Sequence, residues 1–125
     1  MMSDTDELRD YVERLTSTAG DGTFLIVTVA GTEDFLQMLV CAEKLQIDFP
    51  LVTARQRALE SKVRAAASGE GLLVEEVVGS NGAHFLDVYL EKDAGRVTRV
   101  CRTFLREVFG AREDAPLEFN WDGLG

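Results

Sequence analysis

The sequence predicts an α+β domain in which helices pack on an antiparallel sheet of five or six strands. Apolar residues recur with helical period in three segments, residues 8–15, 53–67 and 96–109. Three runs of strand type precede the second of these segments, and two runs follow it. Asn81-Gly82 lies between the last two runs and is a strong hairpin signal. The predicted order is therefore α-βββ-α-ββ-α, followed by a sixth strand or an extended tail.

A single apolar stripe predicts the first helix. Its members lie at i, i+3, i+4 and i+7 of one helical face: Leu8, Tyr11, Val12 and Leu15. Residues 3–5 offer hydroxyl and carboxylate groups that can cap the helix start. The sequence Ala-Gly-Asp-Gly at residues 19–22 is typical of a helix end.

The first two strand runs, residues 23–30 and 35–42, are rich in β-branched, aromatic and aliphatic residues. Residues 31–34 between them, Gly-Thr-Glu-Asp, have the composition of a turn. We therefore expect these two runs to pair with each other as a hairpin.

The third run alternates apolar and polar residues with period two, which predicts a strand with one buried face: Leu45, Ile47, Phe49 and Leu51. Pro50 has no amide proton, so its end of this strand should lie at an edge or leave the sheet. The fourth and fifth runs, residues 72–78 and 83–91, flank Asn81-Gly82. Both of those residues tolerate positive φ, which favours a type I′ turn.

The second helix begins at a capping box, because Thr53 and Gln56 can each satisfy a backbone amide of the other. Its apolar stripe consists mostly of small side chains: Leu59, Val63, Ala66 and Ala67. Small side chains let two backbones approach closely, so this helix packs either on its own sheet or against a copy of itself.

The third helix has a wide apolar stripe, and Gly110 follows it in the position of a C-terminal cap. Residues 117–121 then alternate Leu, Phe and Trp with polar residues, which is typical of a short strand or an extended tail. The length predicts one domain over residues 1–125, with its core at about 4–110 and a C-terminal extension at 111–125.

Composition limits the classes of partner. The net charge of −9 disfavours binding to nucleic acid or to an anionic membrane, because both depend on Lys and Arg contacts to phosphate. The first residues are acidic, whereas a secretory signal would be basic and then apolar. We therefore expect a cytoplasmic protein whose partners are other proteins, basic ones included.

Few side chains in the sequence can do chemistry. His84 is the one histidine, and a surface histidine or a catalytic base are its two interpretations. Cys41 and Cys101 are far apart and are expected to be buried thiols, with a disulfide or a reactive thiol as the alternative. Adjacent Glu75 and Glu76 point to opposite faces of a strand and cannot act together. We expect no enzyme activity, no metal and no cofactor.

Two surfaces are candidates for partner binding. Four arginines line one side of the third helix as a basic face, which is either a solvated helix face or a dock for an acidic partner: Arg96, Arg99, Arg102 and Arg106. A sheet face open to a polypeptide would be lined by apolar and aromatic residues: Phe35, Leu36, Met38, Phe85 and Tyr89. Trp121 is a further candidate, with packing of the tail on the domain as the alternative.

The order of elements, the small size and the strong acidity resemble those of class I type III secretion chaperones and of the related YbjN-like proteins. The resemblance covers residues 4–110, where a helix is inserted between a three-stranded meander and a hairpin. It implies a cytosolic homodimer that binds client polypeptide segments and catalyses nothing. It also implies a dimer contact through the second helix and the neighbouring strand: Leu59, Val63, Ala66 and Val74.

Two other function classes remain open. Acidic segments at residues 4–13 and 113–122 would suit an immunity or antitoxin-like protein that neutralises a basic toxin. A catalytic or small-ligand domain would instead require a deep polar pocket around His84, Asp87 and Tyr89.

Overall fold

The computed structural model describes residues 5–17, 20 and 22–122. Over these residues the chain forms four helices and a six-stranded antiparallel sheet, which confirms the predicted α+β class. The elements in chain order are α1 (Thr5–Ser17), β1 (Phe24–Val29), β2 (Phe35–Cys41), β3 (Lys44–Pro50), α2 (Ala54–Ala58), α3 (Glu60–Gly69), β4 (Val74–Val78), β5 (His84–Glu91), α4 (Ala94–Glu107) and β6 (Leu117–Asp122). The predicted capping residues Ser3 and Asp4 lie outside the described residues.

The strand order in the sheet is β4-β5-β3-β2-β1-β6. Strands β1, β2 and β3 pair in sequence, and β3 then pairs with β5 rather than with β4. Strand β6 returns to β1, with pairs from Val29–Leu117 to Phe24–Asp122. Much of the predicted C-terminal extension is therefore an edge strand of the sheet.

The helices cover one face of the sheet. Because side chains alternate along each strand, every second residue points to this face, and those of the four central strands are buried except at His84. The buried sheet residues include Leu25, Val27, Leu36, Met38, Leu45, Ile47, Leu86 and Val88. The helices contribute Leu8, Val12, Leu15, Val63, Ala67, Val97, Val100 and Phe104. Phe104 packs edge-on against Phe49 at 5.0 Å between ring centroids, which joins the two layers.

The single helix expected at residues 53–67 is two helices. The predicted capping box at Thr53 and Gln56 is confirmed at the start of α2. The helix is interrupted at Leu59, whose amide hydrogen bonds to the carbonyls of both Arg55 and Gln56. The two helices contact different parts of the fold. Arg55 of α2 pairs with Asp34 beside β2, whereas α3 packs on α4.

The predicted hairpin around Asn81 is confirmed, but its turn is not of type I′. Among the loop residues Gly82 has a positive φ of 84°, and Asn81 does not have a positive φ. The Gly82 amide donates to the Gly79 carbonyl, and the Gly79 amide donates to the Ala83 carbonyl. This pattern fits a three-residue loop with a type I turn and a glycine bulge, in which only the glycine needs positive φ.

Helix α4 begins and ends where local signals place it. Asp93 caps its start, since the side chain accepts a hydrogen bond from the Gly95 amide at 3.1 Å. Gly110 follows its end with a φ of 69° and donates to the Arg106 carbonyl, as expected for a capping glycine. None of the described helices is long and apolar enough to cross a membrane.

We predict that Ala42→Gly stabilises the protein. Ala42 lies in the tight connection between β2 and β3 with a φ of 58°, a conformation that is strained for a residue with a Cβ. Removing the Cβ should raise the free energy of unfolding by about 1 kcal/mol. Urea unfolding followed by circular dichroism measures the change.

Gly82→Ala is the matched control with the opposite sign. Its φ of 84° is also positive, and no atom lies within 4 Å of an added Cβ, so backbone strain alone should lower stability. An Ala42→Gly variant that is less stable than the parent would contradict the assigned strain.

Candidate interaction surface on the open face of the sheet

The sheet surface opposite the helices is here termed the open face. Helices α1 and α4 contact the sheet through its other face. Helix α2 lies at the end of the sheet, where Arg55 and Gln56 share a cavity with Phe35 and Pro50. The side chains of the open face form rows that run across the strands, as the pairing register defines. These rows place residues from distant parts of the chain side by side.

The central row of the open face crosses all six strands. Its members are directly paired from edge to edge: Asn120, Ile26, Gln37, Asp48, Asp87 and Glu75. Three of these six side chains are carboxylic acids, and they are consecutive. The central row is therefore acidic over the half of the sheet formed by β3, β5 and β4.

Apolar and aromatic side chains flank the acidic part of this row on both sides. One flanking row contains Phe24, Leu39, Gln46 and Tyr89. The other contains Thr28 paired with Phe35, and Pro50 and Val77 paired with Phe85. Most of these side chains are half-buried, and Tyr89 is 38% exposed. A contiguous apolar surface of this kind is typical of interaction sites.

Asp48 and Asp87 lie directly opposite each other in β3 and β5. Asp87 is only 6% exposed, although it points to the open face, and Asp48 is half-buried. One carboxyl oxygen of each, Oδ1, is buried without a hydrogen-bond partner. Two ionised carboxylates have no proton to donate to each other, so these oxygens remain unsatisfied unless a proton or a cation is supplied.

The environment raises the pKa of both groups. Burial, the charge of Asp87 and a hydrogen bond to Asp87 together raise the pKa of Asp48 from 3.8 to about 7, and burial is the largest of the three causes. Burial also raises the pKa of Asp87, and the charge of Glu75 adds to this, while a hydrogen bond from Gln46 opposes it. The pair therefore titrates as one coupled unit that holds a proton under mildly acidic conditions.

Tyr89 lies in the row next to Asp48 and Asp87, which together are termed the carboxyl pair. Its pKa is raised by burial first and then by the negative charges of Asp87 and Glu75. The phenol is therefore neutral over the physiological range, and it is a hydrogen-bond donor at the margin of the acidic row.

The structure divides the six residues predicted to line a partner-binding face. Phe35, Phe85 and Tyr89 are on the open face, as the prediction requires. Leu36 and Met38 are completely buried on the helix side, so the prediction does not hold for them. The reason is strand alternation: residues 36 and 38 of β2 point away from residue 35.

Trp121 also lies on the helix side, where it packs on α1. Its ring centroid is 6.1 Å from that of Tyr11, and the guanidinium carbon of Arg14 lies 5.1 Å from its centroid. Tyr11 in turn stacks on Phe119 at 4.4 Å. These contacts support the alternative prediction, in which the C-terminal tail packs on the domain. The register of β6 in the sheet turns Trp121 toward α1.

The residues of the hypothetical polar pocket do not come together. His84 points to the helix side, where its Nδ1 lies 3.0 Å from Glu76 Oε2 and half of its side chain is exposed. Asp87 and Tyr89 point to the open face. The geometry therefore places His84 as a surface histidine paired with Glu76, away from the carboxyl pair.

The two cysteines differ in exposure. Cys101 is buried with its sulfur 3.3 Å from that of Met38, and burial raises the pKa of its thiol to about 12. Such a thiol is inert in the folded protein. Cys41 is exposed and unpaired, so the expectation of two buried thiols holds for Cys101 alone.

Two of the four arginines of the predicted basic face pair with acids of the same chain. Arg99 lies 3.7 Å from Glu70 and Arg106 lies 3.1 Å from Glu107. Arg96 is half-buried and donates to the backbone carbonyl of Glu70 at 2.9 Å. Arg102 lies with Arg99 and Arg106 along a shallow groove that Arg9 also borders. These pairs favour a solvated helix face over a dock for an acidic partner.

The predicted dimer contact is mostly inside the monomer. Val63 is 1% exposed and Ala66 is 8% exposed, and Leu59 and Val74 are half-buried against the same core. The small side chains of α3 therefore let it approach its own sheet and α4. These four residues do not form a free surface in this fold.

The cavity bordered by Arg55, Asp34 and Phe49 has a volume of about 60 Å³. Pockets for drug-sized ligands are usually about 300 Å³ or larger. The groove along Arg99, Arg102 and Arg106 reaches about 430 Å³, but it is open to solvent rather than enclosed. The described residues also hold no group of three or more His, Cys, Asp or Glu side chains that could bind a metal ion. The open face is therefore the candidate site that the geometry supports best.

Sequence reasoning missed the carboxyl pair. The alternation of β3 placed Asp48 on a polar face, and that of β5 placed Asp87 beside Phe85 and Tyr89. Alternation within a strand does not reveal which strands pair. The pairing of β3 with β5, which brings the two acids together, therefore could not be predicted. The signal that was present is one Asp in the middle of each strand, Asp48 in β3 and Asp87 in β5, on the face opposite the regular apolar positions.

No protein-family model matches the chain, and comparisons with curated proteins and with solved structures found no significant similarity. The resemblance to secretion chaperones therefore remains a prediction.

We predict that the stability contributed by the Asp48 environment falls as the pH rises from about 4 to about 7. Over this range the unfolded chain has lost the Asp48 proton, with a pKa near 3.8, while the folded protein retains it up to about 7. The folded state thus binds more protons, and the free energy of unfolding decreases with pH. Asp48→Asn should flatten this dependence and raise the urea midpoint at pH 8.

Glu118→Gln is the control, because it removes one negative charge from the exposed edge of the same face. It should leave the pH dependence unchanged. Urea midpoints at four pH values between 4.5 and 9 compare the three proteins. An Asp48→Asn variant with the pH profile of the parent would show that the carboxyl pair is not buried as described.

Proposed function

We propose that this protein is a non-catalytic protein-binding module of the secretion-chaperone type, which acts in the cytoplasm and binds a client polypeptide segment on the open face. One observation carries the proposal: a sheet face that α1 and α4 leave uncovered, on which half-buried aromatic and aliphatic residues lie beside an acidic row with the buried Asp87 at its centre. Side chains that only stabilise the fold would be expected on the helix side, where the buried core residues lie.

The apolar flanks support binding of a polypeptide. Phe35, Phe85 and Tyr89 are large aromatic side chains that are partly exposed on the open face. Burying them under a partner would release water from this surface at a gain of roughly 25 cal/mol for each Å² of apolar area. Aromatic residues of this kind supply much of the energy at interface centres.

An immunity or antitoxin-like role is the second candidate, and the acidic row favours it. Asp48, Asp87 and Glu75 together attract a basic partner, and carboxylates accelerate association with basic toxins. The two roles differ in the partner. A toxin is a folded basic protein, whereas a secretion client offers an extended segment.

The test uses Phe85→Ser with Tyr89→Ser, compared with Arg99→Ser and Arg106→Ser on the helix side. Tagged protein captures its partner from the cells that express it, and mass spectrometry identifies and quantifies that partner. The face variant should recover about tenfold less partner or still less, because truncating central aromatic contacts typically costs 2 kcal/mol or more each. The arginine variant should recover the parental amount.

Thermal melts first establish that both variants are folded. Recovery that is unchanged in the face variant, or lost in the arginine variant, would contradict the proposal. Limited proteolysis of the captured partner separates the two roles, since a folded toxin resists cleavage outside the contact.

We further propose that the protein is a homodimer whose two subunits meet at the free edge of β4. This strand is the outermost of the sheet on its side, and Leu73 and Val78 beside it are 89% and 58% exposed. Pairing of two such edges would cover both residues and satisfy the outward backbone groups. The buried residues of α3 take no part in this arrangement.

We expect sedimentation equilibrium at micromolar concentration to give the mass of a dimer. Leu73→Lys with Val78→Lys should give a monomer, since charge at a sheet edge opposes strand pairing. Lysine at the exposed Ala65 of α3 is the control and should leave the dimer intact. A parental protein that sediments as a monomer would exclude the dimer.

A further inference from the structure

The burial of Asp48 and Asp87 does not help to stabilise the fold. Asp87 is more than nine-tenths buried, yet its Oδ1 has no hydrogen-bond partner, and Oδ1 of Asp48 is in the same condition. Asp87 accepts a hydrogen bond from Gln46, but a buried carboxylate oxygen that has no partner still costs free energy, and an apolar residue in its place would remove that cost. These two oxygens are therefore acceptors to which the described part of the chain supplies no donor.

The described residues also supply no cation. None of their ion pairs involves Asp48, Asp87 or Glu75. Lys44 is the one cationic residue among those described on the open face, and it lies directly opposite Glu91, two rows from the pair. The charge of the acidic row is left for a partner to neutralise.

The surroundings fit one cationic side chain. Directly opposite residues of neighbouring strands have Cβ atoms roughly 5 Å apart, so a single ammonium or guanidinium group can contact both carboxyls. Apolar rows on both sides, with Phe85 and Tyr89 nearest on β5, would cover the aliphatic part of a lysine or arginine.

We propose that Asp48 and Asp87 form the recognition site for one lysine or arginine side chain of the bound polypeptide, presented between apolar residues. This inference rests on the proposed function and names what the open face selects. A second copy of this chain does not fit the site, because stacking two open faces would set one acidic row against the other. A cationic polypeptide is complementary to it.

Binding should also depend on pH. The charged and titratable groups that face the pair are Asp87 and Tyr89 from β5, Glu75 from β4, and, farther along the face, Cys41 from β2 and Lys44 from β3. In the free protein the pair retains a proton that a bound cation displaces to solvent. Affinity for a cationic segment therefore increases as the pH rises from 5.5 to 8.

The experiment selects peptides from a random sixteen-residue library displayed on phage, using four immobilised proteins. They are the parent, Asp48→Asn with Asp87→Asn, Phe85→Ser with Tyr89→Ser, and Glu118→Gln as the matched control on the same face. The parent and the control should enrich peptides in which one Lys or Arg is flanked by apolar residues. The double Asn variant should enrich apolar peptides without that cation, and the serine variant should enrich none.

The outcomes separate this inference from the proposed function. Peptides that depend on Phe85 and Tyr89 but show the same cation preference on the double Asn variant would overturn the inference and leave the proposed function standing. Enrichment that does not depend on Phe85 and Tyr89, or no enrichment at all on the parent, would overturn both.

A second measurement uses the best selected peptide and its lysine-to-norleucine or arginine-to-norleucine counterpart. Fluorescence titration should show that norleucine weakens binding to the parent about 10- to 100-fold at pH 8, as expected for loss of a charge-assisted hydrogen bond. The difference should shrink at pH 5.5 and vanish in the double Asn variant. Equal affinity of the two peptides for the parent at pH 8 would overturn the inference.

Discussion

The antiparallel pairing of β3 with β5 is the contact on which the rest of the structure depends. It joins the three-stranded meander of the N-terminal half to the hairpin of the C-terminal half, across two helices and β4. The pairing extends from Lys44–Glu91 to Pro50–Phe85 and continues the buried face without interruption. Without it the meander and the hairpin would each be too small to support a core.

The same pairing creates two faces of opposite physical character. On one side Ile47 and Val88 meet under α4 and bury apolar area, which stabilises the fold. On the other side Asp48 and Asp87 meet in a sheet surface that α1 and α4 leave uncovered, where burial raises the pKa of both. One register thus pairs Ile47 with Val88 in the core and, one residue along, pairs Asp48 with Asp87 on the opposite face.

A buried acidic pair that destabilises the free protein is consistent with a site that a partner completes. Proteins commonly retain such groups where binding needs them, and their local cost is offset by the core elsewhere. Here the core under the helices is continuous from Leu8 of α1 to Phe104 of α4. The proposed binding face and the face that buries the core are separated by the thickness of one sheet.

Local signals in the sequence determined the elements: the stripe at Leu8, the capping box at Thr53, the glycine at Gly110 and the alternation in β3. These depend on residues within a few positions of one another, so the sequence reveals them. Only the tertiary structure decided that β3 pairs with β5, that β6 turns Trp121 toward α1, and that Val63 and Ala66 are covered. Those outcomes depend on which distant segments bury each other's apolar surface, a choice made by the packing of the whole chain. The juxtaposition of Asp48 and Asp87 belongs to this second group, because it exists only once the sheet has formed.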